Sequence, residues 1–192
     1  GSDARAKAAL ARIAAGEATY ALAVDESIKF DPEGAQLEAS AEGNGFRLNG
    51  QKQFVVDGGL AERLLVLAKT EDGLTLFDIA ANQHGITREA SNMIDARDAA
   101  RVTFDNVEAT GEDVLGQVDQ AMTVLKPAIE AGQAALAAEL AGLAAGAFGM
   151  TVGYLKERKQ FGVEIGRFQA LQHRAAHLWC EAEVTASAIL NA

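Results

Sequence analysis

The amino-acid sequence predicts an α+β protein, in which an antiparallel β-barrel or sandwich domain is followed by long antiparallel helices. Two observations carry this prediction. Between Tyr20 and about Val107, short apolar segments alternate with turn residues at intervals of about 8 to 12 residues, which is typical of antiparallel β domains. After Pro127, the second of only two prolines among 192 residues, the sequence becomes rich in alanine, a strong helix former.

The strands of the β domain are predicted from apolar runs and from two turn sequences. Tyr20–Val24 is an apolar run of strand length, and Arg101–Asp105 alternates between apolar and polar residues. Within residues 45–56, Asn49-Gly50 lies between two alternating segments, so a hairpin turn is predicted there. Residues 71–73, Glu-Asp-Gly, lie between two further apolar runs and predict a second hairpin.

Three helices are predicted around this β domain. Ala4–Ala15 has apolar residues at helical spacing, and Gly16 follows where a glycine commonly ends a helix. Pro127 suits the first turn of a helix that runs over residues 128–159. A last helix is predicted from about Phe168 to the end of the sequence. Since it reaches that end without a cap, we expect the chain to be a fragment of a longer protein.

Composition and charge exclude several classes of function. The net charge is −10, from 17 basic and 27 acidic side chains, and such a surface repels nucleic acid. No uninterrupted apolar run reaches the roughly 18 to 20 residues that a membrane span needs, so no membrane association is expected. The first residues lack the basic-then-apolar pattern of a signal peptide, and we expect a cytoplasmic location.

Two histidines are candidates for metal ligands. His173 and His177 are four residues apart on the last predicted helix, which is the spacing of two ligands on one helix face. No glutamate lies between them in the metalloprotease pattern, and no third ligand is near in sequence. The sequence therefore predicts ordinary helix-surface histidines and no metal site.

The segment from Tyr154 to His173 carries the most specific pattern of the chain. Residues 158–162 fit Arg-x-x-Phe-Gly at the end of a helix, and residues 165–172 fit Ile-Gly-x-Phe-Gln-x-x-Gln. In this order, the two patterns strongly resemble the acyl-CoA dehydrogenase family. The resemblance extends over essentially the whole chain, through residues 45–52, 54–59 and 102–107 of the β region.

The resemblance implies a division into three parts. Residues 1–19 look like the end of the family's N-terminal helical domain. Residues 20–112 look like its middle β domain, and residues 113–192 like the first half of its C-terminal helical domain. The family's catalytic glutamate usually lies beyond this stretch. Where it lies early in the long helix, the matching position here is Gly132, so no catalytic residue is expected within the chain.

By resemblance, the cofactor is FAD. The guanidinium of Arg158 would hold the FAD pyrophosphate, a role that suits its fixed set of donors. The remaining cofactor-binding residues implied by the resemblance are Gln160, Phe161, Ile165 and Gln169 beside Arg158, and Phe54, which would cover the flavin.

Two residues of the β domain depart from the family pattern. Asp25 stands where the family has a hydroxyl donor to the flavin, and an ionised carboxylate can only accept hydrogen bonds. Val56 stands where the family has a threonine hydroxyl. These two changes leave open whether this chain holds FAD in the usual way.

Two functions therefore remain open. The first is an FAD-dependent acyl-CoA dehydrogenase, which oxidises an acyl-CoA thioester to its trans-2-enoyl product and passes electrons to an electron-transfer flavoprotein. The second is a non-catalytic structural subunit of a heteromeric acyl-CoA dehydrogenase. Both imply a homo- or hetero-oligomer, because the alanine- and glycine-rich stretch from Ala134 to Gly149 needs close helical neighbours to be buried.

Overall fold

The computed structural model describes residues 2–91, 93–95 and 97–191, with side chains from residue 5 onward. The chain forms two compact units, Gly1–Leu125 and Lys126–Ala192. The first contains a helix and the β-sheet, and the second contains most of a long helix, a short hairpin and a further helix. The predicted α+β class is confirmed.

Helix α1, Ser2–Ala14, ends in a Schellman motif. The Glu17 N–H donates to the Arg12 carbonyl at 2.8 Å, and the Gly16 N–H donates to the Ile13 carbonyl at 3.0 Å. Gly16 has φ +71°, the left-handed conformation that this motif requires and that glycine adopts without a Cβ clash. The predicted stop at Gly16 is confirmed.

Seven strands form one curled sheet within the described residues, in the order β1-β4-β2-β3-β7-β6, with β5 on the other edge of β4. The pairings are antiparallel except those of β4 with β1 and, at Lys69 alone, with β2. The sheet is therefore mixed but mostly antiparallel, in agreement with the predicted mostly antiparallel β domain. The strands are β1 Tyr20–Ala23, β2 Glu38–Glu42, β3 Gly45–Val56, β4 Arg63–Lys69, β5 Leu74–Ala80, β6 Ile86–Ala90 and β7 Ala99–Thr110.

The core of the first unit lies on the inner face of this sheet. Its large members are fully buried aliphatic and aromatic side chains from four strands, β3, β4, β5 and β7. The largest buried apolar side chains are Phe77, Phe104, Leu48, Leu64, Leu67, Leu76 and Ile79.

The predicted hairpin at Asn49-Gly50 is wrong. Both residues lie inside the continuous strand β3, at a register shift in its pairing with β7, and Gly50 has φ +140°. The real turn lies at Gly43-Asn44, where Glu42 pairs with Gly45 and Gly43 has φ +58°. The sequence has two Asn-Gly pairs, Asn44-Gly45 and Asn49-Gly50, and both offer the backbone freedom that a turn needs. The first pair overlaps the hairpin turn at Gly43-Asn44, whereas the second lies at a β-bulge. The hairpin predicted at residues 71–73 is confirmed, because β4 and β5 pair up to Lys69 and Leu74.

Helix α2, Ala121–Glu157, begins earlier than the sequence predicted. Pro127 lies inside the helix and not in its first turn. Ala121 and Leu125 are buried in the first unit, and this burial extends the helix on the N-terminal side of the proline. Helix α3 spans Gln169–Ile189.

The helices of the second unit expose their side chains. Within the described residues, α2 has no buried residue beyond Leu125 and α3 has none at all. By length and average hydropathy alone, helix α2 is long and apolar enough to cross a membrane. Scattered glycines, threonines and charged residues interrupt the apolar runs of α2 without making the helix polar on average. Core helices of soluble proteins meet the same two criteria, so length and composition alone do not assign α2 to a membrane.

Candidate functional site

The segment that follows β1 is fixed against β3 by three hydrogen bonds. The Gln53 N–H donates to the Asp25 carbonyl at 2.7 Å, and the Gln53 side-chain amide donates to the Glu26 carbonyl at 3.0 Å. The Lys52 ammonium donates to the Val24 carbonyl at 3.1 Å. Residues 24–26 are therefore held beside the part of β3 that directly precedes Phe54.

A buried ion pair lies beneath this segment. Lys52 is fully buried, and its Nζ lies 2.6 Å from Glu26 Oε1. The Glu26 carboxylate also accepts the backbone N–H groups of Gln36 at 2.7 Å and Leu37 at 2.8 Å. Partners therefore surround both charges, as buried charges require.

The electrostatics of the pair follow from burial and from these contacts. Burial lowers the pKa of Lys52, and the neighbouring carboxylates oppose this effect only in part. Burial alone would raise the pKa of Glu26, but the hydrogen bonds from Lys52 and from the Leu37 and Gln36 amides outweigh it and hold that pKa below its usual value. Glu26 is therefore a stable anion at neutral pH.

Asp25 is the unsatisfied member of this group. Its Oδ1 atom is buried and has no hydrogen-bond partner within the part of the chain that the structure describes. Burial raises the pKa of Asp25, and the charge of Lys52 opposes the rise without cancelling it. A buried oxygen without a partner is costly, so this atom is a local source of instability in the segment after β1.

Phe54 lies on β3 directly after Gln53, the residue bonded to Asp25. Its φ is +51°, and its side chain is 47% exposed. Bulky residues adopt a positive φ at a cost, and such strain concentrates at binding sites. Val56, two residues further along, is also exposed, whereas Val55 between them is fully buried. Phe54 and Val56 thus leave apolar surface uncovered on the outer side of the strand.

The second unit contains a tight hairpin between its two helices. Strand β8, Lys159–Gln160, pairs antiparallel with β9, Val163–Glu164. The two turn residues, Phe161 and Gly162, have φ +54° and +80°. Positive φ at both turn positions is the signature of a type I′ turn, which normally avoids bulky residues. Phe161 is 92% exposed. Its ring meets the ring of Phe168 edge to face, with 6.2 Å between the two ring centroids.

Arg158 lies between the end of α2 and this hairpin. Its N–H donates to the Tyr154 carbonyl at 2.9 Å, and its carbonyl accepts the Ile165 N–H at 2.8 Å. Its guanidinium makes no hydrogen bond or ion pair with the residues that the structure describes. The neighbouring cations Lys159 and Arg167, in contrast, both pair with Glu164. Arg158 thus has a fixed backbone and an exposed, available guanidinium.

The predicted cofactor residues fall into two groups. Those that follow Arg158 lie on one short stretch of the second unit: Gln160 in β8, Phe161 in the turn, Ile165 at the start of a 3₁₀ turn and Gln169 as the first residue of α3. Phe54 belongs to β3 of the first unit. Their roles toward a cofactor stay predictions.

Sequence reasoning missed the contribution of Lys52 and Glu26. A lysine inside an apolar strand is usually taken as solvent-facing, and the bulge at Gly50 changes which side chains of β3 face inward. The usable signal was the position of Lys52 between two apolar segments, since a buried lysine requires an acidic partner.

No catalytic base or metal cluster is apparent in residues 2–91, 93–95 and 97–191. Glu130 and Glu139 are exposed positions of α2, and a side chain added at Gly132 would meet open space. His177 lies 3.5 Å from Glu181, and no group of three or more metal-binding side chains is found among those residues.

The chemistry of these groups fits FAD. A free guanidinium suits a pyrophosphate, and an exposed aromatic ring suits a flat ring system. Phe54 belongs to the first unit and Arg158 to the second, and each fits one part of the cofactor by its own chemistry.

Comparisons with known proteins agree with this chemistry. Residues 120–192 match the family model "Acyl-CoA dehydrogenase, C-terminal domain". The short/branched chain specific acyl-CoA dehydrogenase of Rattus norvegicus mitochondria is 32% identical over 82% of this chain and 38% of its own length. A 3-(aryl)acrylate reductase of Clostridium sporogenes is 28% identical over 99% of this chain and 52% of its own length.

Solved structures share the fold. A glutaryl-CoA dehydrogenase of Mycobacterium smegmatis in complex with FADH2 superposes with a TM-score of 0.90 at 22% identity, over all of this chain and 50% of that one. The chain spans about half or less of the length of the relatives described here. Its motifs, its fold and these matches together place the chain in the acyl-CoA dehydrogenase family.

Proposed function

We propose that the protein to which this chain belongs is an FAD-dependent oxidoreductase that dehydrogenates acyl-CoA thioesters at the α,β position. The observation that carries the proposal is Arg158, an arginine with a fixed backbone and an available guanidinium within the family's most specific motif. The acyl-CoA dehydrogenases among its relatives support the choice of reaction.

Each candidate residue has a definite task in this proposal. When bound, FAD supplies the acceptor for the substrate's β-hydride. Arg158 holds the pyrophosphate through charge-assisted hydrogen bonds, while Phe161 shields this contact from water. Gln160, Ile165 and Gln169 complete the same side of the site. Phe54 and Val56 provide apolar surface, which favours the burial of a flat ring.

A non-catalytic role within a heteromeric dehydrogenase is the second candidate. Asp25 and Val56 favour it, because neither can donate a hydrogen bond as a neutral hydroxyl does. Gly132 also favours it, since a glycine cannot act as a base. In this case Arg158 serves the FAD of a catalytic partner.

Oligomerisation is part of either proposal. Leu136, Leu140 and Leu143 recur at helical spacing on α2 and are each more than half exposed, as is Met150 one heptad after Leu143. A stripe of this kind is stable in water only when other helices cover it. We further propose an electron-transfer flavoprotein as the electron acceptor and a cytoplasmic location.

The test is the flavin content of the purified full-length protein, alone and together with the product of the neighbouring gene. A flavin absorption band in the protein alone, with oxidation of acyl-CoA thioesters, supports the enzyme. A band only in the complex supports the non-catalytic subunit. Because one relative is named for the reduction of arylacrylates, activity is assayed in both directions. If neither preparation binds flavin, both candidates are wrong.

A further inference from the structure

Gly166 and Gln172 belong to the most specific motif of the chain, but neither has a task in the proposed function. Gly166 lies in the 3₁₀ turn Ile165–Arg167, and Gln172 lies in the first turn of α3. The Gln172 side-chain amide donates to the Gly166 carbonyl at 2.9 Å. Phe168, the residue before α3, has no side chain that could cap the helix. Gln172 therefore ties α3 to the turn that precedes it.

Gly166 also lies directly against the last turn of α2. A Cβ atom at this position would be 2.7 Å from the Leu155 carbonyl oxygen, which is closer than Cβ atoms come to other heavy atoms. A side chain is excluded here by close contact with α2. Gly166 is thus held by both helices of the second unit, by α2 through packing and by α3 through a hydrogen bond.

One further hydrogen bond connects this arrangement to Arg158. Ile165, which directly precedes Gly166, donates its N–H to the Arg158 carbonyl at 2.8 Å. The Arg158 N–H donates to the Tyr154 carbonyl within the end of α2. The bond from Ile165 is therefore the one that depends on the turn after the hairpin. A displacement of Gly166 would move Ile165 and release the Arg158 carbonyl.

Resting on the FAD proposal above, we propose that Gln172 is a positioning residue for Arg158. Its bond to Gly166 fixes Ile165, and Ile165 fixes the backbone from which the guanidinium extends. Ordering this backbone before the cofactor arrives lowers the entropy that binding costs. In this role Gln172 bonds only to the protein, and its effect on FAD passes through Arg158.

The experiment measures the dissociation constant of FAD by flavin fluorescence, with the full-length protein or with its complex. Gln172→Met removes the amide donor but keeps the length and the helix propensity of the side chain, so α3 should stay folded. We expect FAD affinity to fall about 3- to 10-fold, as the loss of one hydrogen bond implies, with a nearly unchanged midpoint of thermal unfolding. Gly166→Ala should also weaken FAD binding, because its Cβ forces the turn away from Leu155.

A double-mutant cycle with Arg158→Ala separates positioning from a general structural effect. If Gln172 acts through Arg158, Gln172→Met should weaken FAD binding in the wild type but not further in Arg158→Ala. Additive losses would overturn the proposal, since Gln172 would then act by another route. The matched control is Gln83→Met, which removes a side-chain amide bond to the Glu108 carbonyl in the first unit and should leave FAD affinity unchanged.

The outcomes also separate this proposal from the proposed function. Wild-type FAD affinity in Gln172→Met, together with weak binding by Arg158→Ala, would overturn the positioning role and leave the proposed function intact. Absence of FAD binding in the wild type, alone and in the complex, would overturn both.

Discussion

The ammonium of Lys52 lies 2.6 Å from the carboxylate of Glu26, and the lysine has no exposed surface. Glu26 also accepts two backbone N–H groups from the loop that leads into β2. One carboxylate therefore connects β3, the segment after β1 and the start of β2. The position of Asp25 depends on this connection, because Asp25 directly precedes Glu26.

Replacing Lys52 with methionine should strongly destabilise the first unit. The change leaves Glu26 without its cation, and breaking a buried pair by removing one partner typically costs about 3 to 5 kcal/mol. We expect the lower end, about 3 kcal/mol, since the Glu26 side chain is 21% exposed and keeps both backbone donors. Urea denaturation measures the difference in the free energy of unfolding.

The double variant Lys52→Met, Glu26→Gln provides the control. It removes both charges and should recover a large part of the loss, because no uncompensated charge remains. If the single and double variants are equally unstable, the loss comes from packing of the lysine stem and not from the ion pair.

Acid should remove the stabilisation that Glu26 provides. The pKa of Glu26 in the folded protein is below 4.5, its ordinary value. Its contribution is therefore fully present above that ordinary pKa and is lost as the pH falls through it toward the lowered value. Asp25 acts in the opposite sense, because its raised pKa favours the folded state as the pH falls.

The comparison is between the wild type and Glu26→Gln, with denaturation at about pH 5, 4 and 3. The variant should lose less unfolding free energy over this range, although it starts from a lower value. Glu33→Gln, a change at an exposed glutamate of the nearby 3₁₀ turn, should follow the wild type. Parallel curves for Glu26→Gln and the wild type would show that Glu26 titrates normally.

Replacing Arg158 with alanine should weaken FAD retention in the assembled protein. A charge-assisted contact to phosphate contributes about 1.5 to 3 kcal/mol, which corresponds to about 10- to 150-fold in affinity. Arg158→Lys should recover only part of this, since an ammonium cannot form the two-point contact. Flavin content after dilution and gel filtration is the measurement.

The control is Arg167→Ala, which removes an arginine that pairs with Glu164 on the same hairpin. It should leave the flavin content nearly unchanged. Full retention of FAD by Arg158→Ala would mean that Arg158 is only a solvated helix end.

Two glycine-to-alanine changes should have opposite effects. Gly162 has φ +80° in the β8–β9 turn, so alanine there should lower stability by about 1 to 2 kcal/mol. Gly132 is helical and its added Cβ would meet no atom within 4 Å, so alanine there should raise stability by about 0.5 to 1 kcal/mol. Thermal unfolding followed by circular dichroism measures both changes. Destabilisation by Gly132→Ala would instead indicate that this face of α2 is in close contact with another helix.

The sequence was informative where local chemistry decides structure. Gly16 ends α1, and residues 71–73 turn β4 into β5, because each requirement is local to a few residues. The sequence was misleading where pairing between distant segments of the chain decides the local structure. Asn49-Gly50 can form either a turn or a bulge, and the pairing of β3 with β7 selects the bulge. The start of α2 was misplaced for a similar reason, since it depends on burial of Leu125 in the first unit.

The candidate site divides in the same way. The hairpin from Arg158 to Gln169 is encoded in one contiguous stretch, so its pattern is visible in the sequence alone. The group around Asp25 combines three segments, and the contact between Lys52 and Glu26 spans 26 positions of the chain. Neither the burial of Lys52 nor the unpaired oxygen of Asp25 follows from local composition.

The carboxylate of Asp78 on β5 joins two arginines: Arg63 at 2.5 Å, across the β4–β5 hairpin, and Arg5 of α1 at 2.9 Å. Arg5 and Asp78 are 73 positions apart. During translation at about 5 to 20 residues per second, α1 leaves the ribosome about 4 to 15 s before its anchor is made. Throughout that interval Arg5 of α1 has no carboxylate of β5 to pair with. The ion pair that fixes α1 to the sheet can therefore form only after the β4–β5 hairpin has left the ribosome.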